Sequence, residues 1–149
     1  MPAPPPVTLW LDPGGMTGFA CWESGTDHFW ADEFAWDDAC DKLATLASYY
    51  RSLLYIGWEK FTILPDTHKK TPQPEAYEFP GVVKYLARTW ACRLLPPARP
   101  AERNVATPAI LRRAGWWSPG KNDAQSAAQH LYAWMLRENC VPHRIAAMR

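Results

Sequence analysis

The sequence predicts an α/β domain: a five-stranded mixed sheet, formed by a three-strand antiparallel meander plus parallel strands, with helices on both faces. Three observations carry this. Short β-rich runs separated by turn signals come first. Helical stripes then alternate with further short β-rich runs, and 149 residues at 48% apolar content suffice for one core.

"VTLWLD" is a β-rich run that suits a central strand, and "FACWES" and "HFWADEF" follow it after the turn signals "GGMTG" and "SGTD". From Trp36 to Tyr50, apolar residues fall at Trp36, Ala39, Cys40, Leu43, Leu46, Ala47 and Tyr50, the stripe of an amphipathic helix. "LLYIGWEKF" reads as a fourth strand, and "ILPDTHKKTPQP" as a basic loop too rich in proline for regular structure. A second helix fits Phe79, Val82, Val83, Leu86, Ala87 and Trp90, with Pro80 near its start or kinking it. "CRLLPPA" supplies a short fifth strand. "TPAILRRAG" is a capped short helix, with Thr107 at the N-cap, Pro108 at the first helical position and Gly115 at the stop. In the last helix Ala124, Ala127, Ala128, Leu131, Trp134 and Met135 form one stripe, opened by "SPGKND", in which Ser-Pro and Asn are both possible starts. The first six residues, rich in proline, read as a flexible tail, and residues 7 to 149 as a single domain.

Several function classes lose support. Apolar runs are broken well short of the ~20 residues of a membrane span, and "MPAPPPV" lacks the parts of a signal peptide, so a cytoplasmic location without membrane association is expected. Cys21, Cys40, Cys92 and Cys140 form no C-x-x-C pair, which leaves zinc and redox motifs unsupported and predicts reduced, mostly buried thiols. The net charge of +1 hides an asymmetry. Residues 1 to 59 carry nine acidic groups against Lys42 and Arg51, whereas residues 60 to 149 carry 14 basic groups against six acidic ones. Such a basic portion suits a phosphate-backbone partner, although the two halves can equally neutralise each other.

The element order β-β-β-α-β-α-β-α-α is the layout of a ribonuclease H-like fold. In that layout the first and fourth strands lie side by side, which would bring Asp12 beside Glu59. Asp123, 40° around the last helix from Ala127, can point at the sheet. Three converging carboxylates repel one another and lose hydration, so they are stable as a site for cations. All-oxygen ligands select Mg²⁺ or Mn²⁺, and two such ions about 4 Å apart suit in-line phosphodiester cleavage. Gly14, Gly15 and Gly18 would let the chain reverse tightly beside them.

"LDPGGMTGFACW", "IGWEKF" and "KNDAQSAAQHL" resemble, in order and spacing, the three signature segments of RuvC-type Holliday junction resolvases, especially the short bacteriophage forms. The resemblance spans about residues 7 to 136. It implies a homodimer that nicks four-way junctions, forks or flaps with two Mg²⁺ or Mn²⁺ ions, in the host cytoplasm if the chain is phage-encoded. Asp12, Glu59 and Asp123 match the family's carboxylates as metal ligands and catalytic groups. The chain departs from the family at the last helix, where two acidic or acid-plus-histidine positions normally stand three residues apart: Gly120 precedes Asp123 by three and Ser126 follows it by three. His130, about 20° from Asp123 around the helix, is the nearest substitute on that face. Phe61 resembles the aromatic that the family places after its second acid to stack on unpaired bases.

Lys69, Lys70, Lys84, Arg88, Arg112, Arg113 and Lys121 are the candidate phosphate contacts, and Arg112, Arg113 or Lys121 would also steady charge on the scissile phosphate. The second helix, broadly apolar with Tyr77, Phe79 and Trp90, matches the family's dimer contact. Each residue also has a plainer reading: Asp12 a turn former, Glu59 an exposed edge charge, Asp123 a first-turn acid on the helix dipole, His130 a polar face residue, Phe61 a core residue, and the bases solvated surface. Three competitors remain: a branched-DNA-binding module weakened in catalysis, a YqgF-like RNA-processing nuclease, and an actin- or hexokinase-like ATPase, for whose two domains and nucleotide cleft the chain is too short. No nucleotide cofactor is therefore expected.

Overall fold

The computed structural model describes residues 3–61 and 74–142, so Lys69 and Lys70 lie outside the described residues. Strands β1 (Val7–Asp12), β2 (Met16–Glu23) and β3 (His28–Ala35) form the antiparallel meander. Helix α1 (Trp36–Tyr50) leads into β4 (Leu54–Trp58), which runs parallel to β1. Helix α2 (Pro74–Trp90) leads into β5 (Arg93–Leu94), parallel to β4. A 3-10 turn (Pro100–Val105), α3 (Pro108–Ala114) and α4 (Asn122–Arg137) complete the chain, and the sheet order is β3-β2-β1-β4-β5.

Alternation along the strands sets the two faces. Leu9 and Leu11 of β1, Phe19 and Cys21 of β2, and Ile56 and Trp58 of β4 face α1 and α2, where Leu43, Phe79 and Val83 meet them. Trp10, Ala20 and Trp22 point the other way, against Ala127, Ala128, Leu131 and Met135 of α4 and Leu111 of α3. Helices therefore cover both faces, with α4 alone crossing the middle of its side.

Several boundaries differ from the sequence reading. β2 begins at Met16 rather than Phe19, because the turn after β1 is tight and Asp12 already pairs with Gly18. α2 begins at Pro74 rather than Phe79: proline suits the first turn, and burial of Ala76 extends the apolar stripe backwards. Its broad apolar face is divided, since Phe79 enters the core while Tyr77 is exposed on another side. Trp90 is half-buried and lies under the Arg51 guanidinium. α3 matches its expected signals, with the Thr107 hydroxyl accepting from the Ile110 amide and Gly115 left-handed at φ 75°. α4 starts at Asn122 with no side-chain cap of its own. Of the four thiols, which form no disulfide, Cys21 is buried and pushed up to about 12 by that burial; the other three are half-buried rather than buried. Among the described residues no helix is long and apolar enough to cross a membrane.

Candidate active site

Pairing aligns a row of residues across the sheet. Glu33 of β3 pairs with Gly18 of β2, and Gly18 pairs with Asp12 of β1. Glu59 follows β4, where its amide donates to the Leu11 carbonyl at 2.9 Å and a bridge to Ala98 prolongs the ladder. By the two-residue period, Asp12, Gly18, Glu33 and Glu59 fall on the α4 face of the sheet. The gap in the row is Gly18, and the start of α4 rests there: a Cβ at this position would lie 1.9 Å from the Asp123 carbonyl oxygen. Glycine is thus required by close approach of helix to strand rather than by conformation. Gly15 is not in the left-handed region and a Cβ on it would meet open space, so the turn does not require glycine there, whereas the helix contact does require it at Gly18.

The α4 register then presents its polar residues to the row. Glu33 accepts hydrogen bonds from the Asp123 and Ala124 amides at 3.0 and 3.4 Å, which caps the helix from a neighbouring strand. His130 is 1% exposed and its Nε2 lies 2.7 Å from Glu59 Oε2. Its ring stacks on Trp10 at 5.9 Å, and Trp10 fits only because residue 57 is glycine, whose Cβ would fall 2.4 Å from the indole. The same Glu59 oxygen accepts from Arg103 Nη1 at 2.6 Å. Arg103 rides on the 3-10 turn, which is tied to α4 twice: Glu102 pairs with Arg137, and Gln129 Nε2 donates to the Ala106 carbonyl at 2.7 Å.

The acids bear on one another's ionisation. Burial pushes the Asp12 carboxyl up to about 7, aided by the charges of Glu59 and then Asp123, against the pull of Arg103 and a Ser126 hydrogen bond. Asp123 is raised by burial and then by Glu33, with Glu59 adding to the rise and Arg103 opposing it. For Glu59, burial works upward, but the His130 hydrogen bond and the Arg103 charge outweigh it and hold the carboxyl below its ordinary value. Among the described residues no three His, Cys, Asp or Glu side chains are disposed together as a metal-holding group; Glu59 is turned to Arg103 and His130.

Beyond Glu59, a cleft of about 370 Å³ is lined by Trp58, Lys60, Phe61, Tyr77, Pro80 and Lys84. Phe61 is half-buried with its ring 4.4 Å from that of Tyr77, so it is part of the cleft wall. Lys84 lines the same cleft, and Arg88 lies exposed one turn further along α2. Arg112 and Arg113 are exposed on α3, and Arg112 stacks over Trp117 at 4.6 Å. Lys121, expected as a phosphate contact, pairs with Asp32 at 2.6 Å.

Sequence reasoning missed Arg103 and Glu33. Arg103 sits in a proline-flanked segment with no motif, and Glu33 acts on amides 90 positions away. Only the strand register, which aligns Glu33 with Gly18 and so with Asp12, could have signalled it. No family model matches the chain, and no curated protein matches it as a relative.

Proposed function

We propose that this chain is a divalent-metal-dependent endonuclease that nicks branched DNA, with a ribonuclease H-like fold and a resemblance to RuvC-type Holliday junction resolvases. The strand order, with the parallel β1–β4 pair following the antiparallel meander and α4 packed across β1, β2 and β3, supports that fold assignment. The observation that carries the reading is the placement of three acids distant in sequence: Asp12 and Glu59 end neighbouring strands on one face of the sheet, and the Asp123 end of α4 rests on Gly18, the partner of Asp12.

The chemistry of the donor set suits Mg²⁺ or Mn²⁺, provided that Glu59 turns from Arg103 towards the other two acids. All three acids offer hard oxygens, and a divalent cation would relieve the burial cost and the lesser mutual repulsion that raise Asp12 and Asp123. Asp12, Glu59 and Asp123 would hold the ions, which when bound supply water activation and charge neutralisation for phosphodiester hydrolysis. The chain's own groups do the rest. His130, anchored by Trp10, fixes the orientation of Glu59 from inside the core. Lys60 and Lys84 offer cations to a DNA backbone passing the cleft, and Phe61 and Tyr77 supply an aromatic wall for an unpaired base. Gly18 leaves no side chain between sheet and helix at the place where the acids converge.

The test is a nicking assay on a synthetic four-way junction, a fork, linear duplex and structured RNA, with Mg²⁺ or Mn²⁺ added. Branched DNA is cut by the wild type and not by Asp12→Asn, which still binds it. Equal cutting of linear duplex removes the structure-selective part, and cutting of RNA alone moves the assignment to the YqgF-like class. A binding module without catalysis is the second reading, favoured by Ser126 standing beside Asp12 where the family has a further acid. It binds junctions and cuts none of the substrates.

A further inference from the structure

Among the described residues, the cationic side chain that bonds directly to one of the three acids is one the reading above leaves without a role. Arg103 Nη1 is 2.6 Å from Glu59 Oε2, the oxygen that His130 also approaches at 2.7 Å, so one carboxylate oxygen takes two partners. The two partners differ in surroundings: His130 is sealed in the core at 1% exposure, whereas the Arg103 side chain is 31% exposed. His130 therefore has nowhere to go, and Arg103 has. The charge of Arg103 bears on Asp12 and Asp123 as well as on Glu59, which makes it a counter-ion to the whole cluster. The residues on either side of it in the chain, Glu102 and Ala106, are tied to α4 by Arg137 and Gln129, which anchors the turn that carries it.

We propose that Arg103 is an internal counter-ion that holds Glu59 until a divalent cation displaces it, and that the released guanidinium then binds the phosphate of the DNA strand. This rests on the nuclease reading. A dication entering among the acids repels a guanidinium at hydrogen-bond distance from one of them and takes over its neutralising role. The planar fork of arginine matches the oxygens of a phosphate as well as it matches a carboxylate, so the same side chain suits both partners in turn. Cation and Arg103 thus compete for Glu59, while cation and substrate cooperate through Arg103.

Calorimetric titration of the metal-free, full-length protein with Mn²⁺ tests the competition. Arg103→Gln binds the ion about three- to tenfold more tightly than wild type, and Arg103→Lys stays near wild type. Junction binding tests the second half. With Ca²⁺ present, Arg103→Gln binds a four-way junction about three- to tenfold more weakly than wild type, with the salt dependence reduced by about one ion; in EDTA the two bind alike. A direct readout on the wild type needs no variant: the Arg103 side-chain ¹⁵N resonances, shifted by the bond to Glu59, move towards free arginine as Mg²⁺ is added. Unchanged resonances at saturating Mg²⁺, or Mn²⁺ affinity in Arg103→Gln equal to or below wild type, overturn the inference while leaving a cutting enzyme intact. A wild type that takes up no divalent cation overturns it together with the nuclease reading.

Discussion

Burial and two neighbouring carboxylates make Asp12 costly to ionise, and this has a measurable sign. In the fold its carboxyl titrates near 7, against an ordinary value of 3.8. Between about pH 4 and 7 the folded chain holds a proton that the unfolded chain releases, so metal-free stability falls as pH rises through this window and stays low above it. Asp12→Asn lacks the term. Its metal-free Tm should exceed that of wild type at pH 8 by an amount corresponding to about 2–4 kcal/mol, a gain that shrinks as pH is lowered towards 4. Equal pH profiles for the two proteins by differential scanning calorimetry would contradict the crowding of the acids. Gly57 is the second residue whose effect can be foreseen: its Ala variant forces Trp10 away, and with it the ring that supports His130. The expected loss is about 1–3 kcal/mol in denaturant melts, accompanied by weaker Mn²⁺ binding.

Among the elements, α4 shows what a sequence can and cannot disclose. Its buried face follows from the spacing of Ala124, Ala127, Ala128, Leu131 and Met135, the meander follows from β-rich runs and turn signals, and the β1–β4 neighbourhood is expected only through the layout that the element order suggests. Asp12, Glu59 and Asp123 were legible because each stands at the end of such an element. The helix start was not. Its cap comes from Glu33 on β3 and its seat from Gly18 on β2, contacts made only by tertiary folding. The same cause hid Arg103, whose partner Glu59 lies 44 positions away. Gly18→Ala should therefore cost more than about 3 kcal/mol in urea melts, the upper part of the range for overpacking, because the clash is with backbone that cannot rotate aside. Glu33→Gln removes a charge from the helix N-terminus and should cost about 1 kcal/mol. A neutral outcome for Gly18→Ala would mean that α4 sits further from the sheet.

For the molecule as a whole, the acidic first portion and basic remainder partly neutralise each other, as the Lys121–Asp32 and Arg103–Glu59 pairs show. The bases left exposed around α2, Lys84 and Arg88, are then the ones expected to face a nucleic-acid backbone. Replacing both by alanine should reduce the slope of log affinity against log salt for a four-way junction by about two, measured by fluorescence anisotropy. An unchanged slope would move the binding face elsewhere. The homodimer implied by the family resemblance predicts twice the chain mass in light scattering at micromolar concentration. A monomer would count against the resemblance on which that expectation rests. The capping of α4 carries one more consequence at this scale. Because an acid from the edge strand plugs the positive end of the helix from within, the Asp123 and Ala124 amides are already taken, and a phosphate arriving from outside would have to displace Glu33 to use them as a hook.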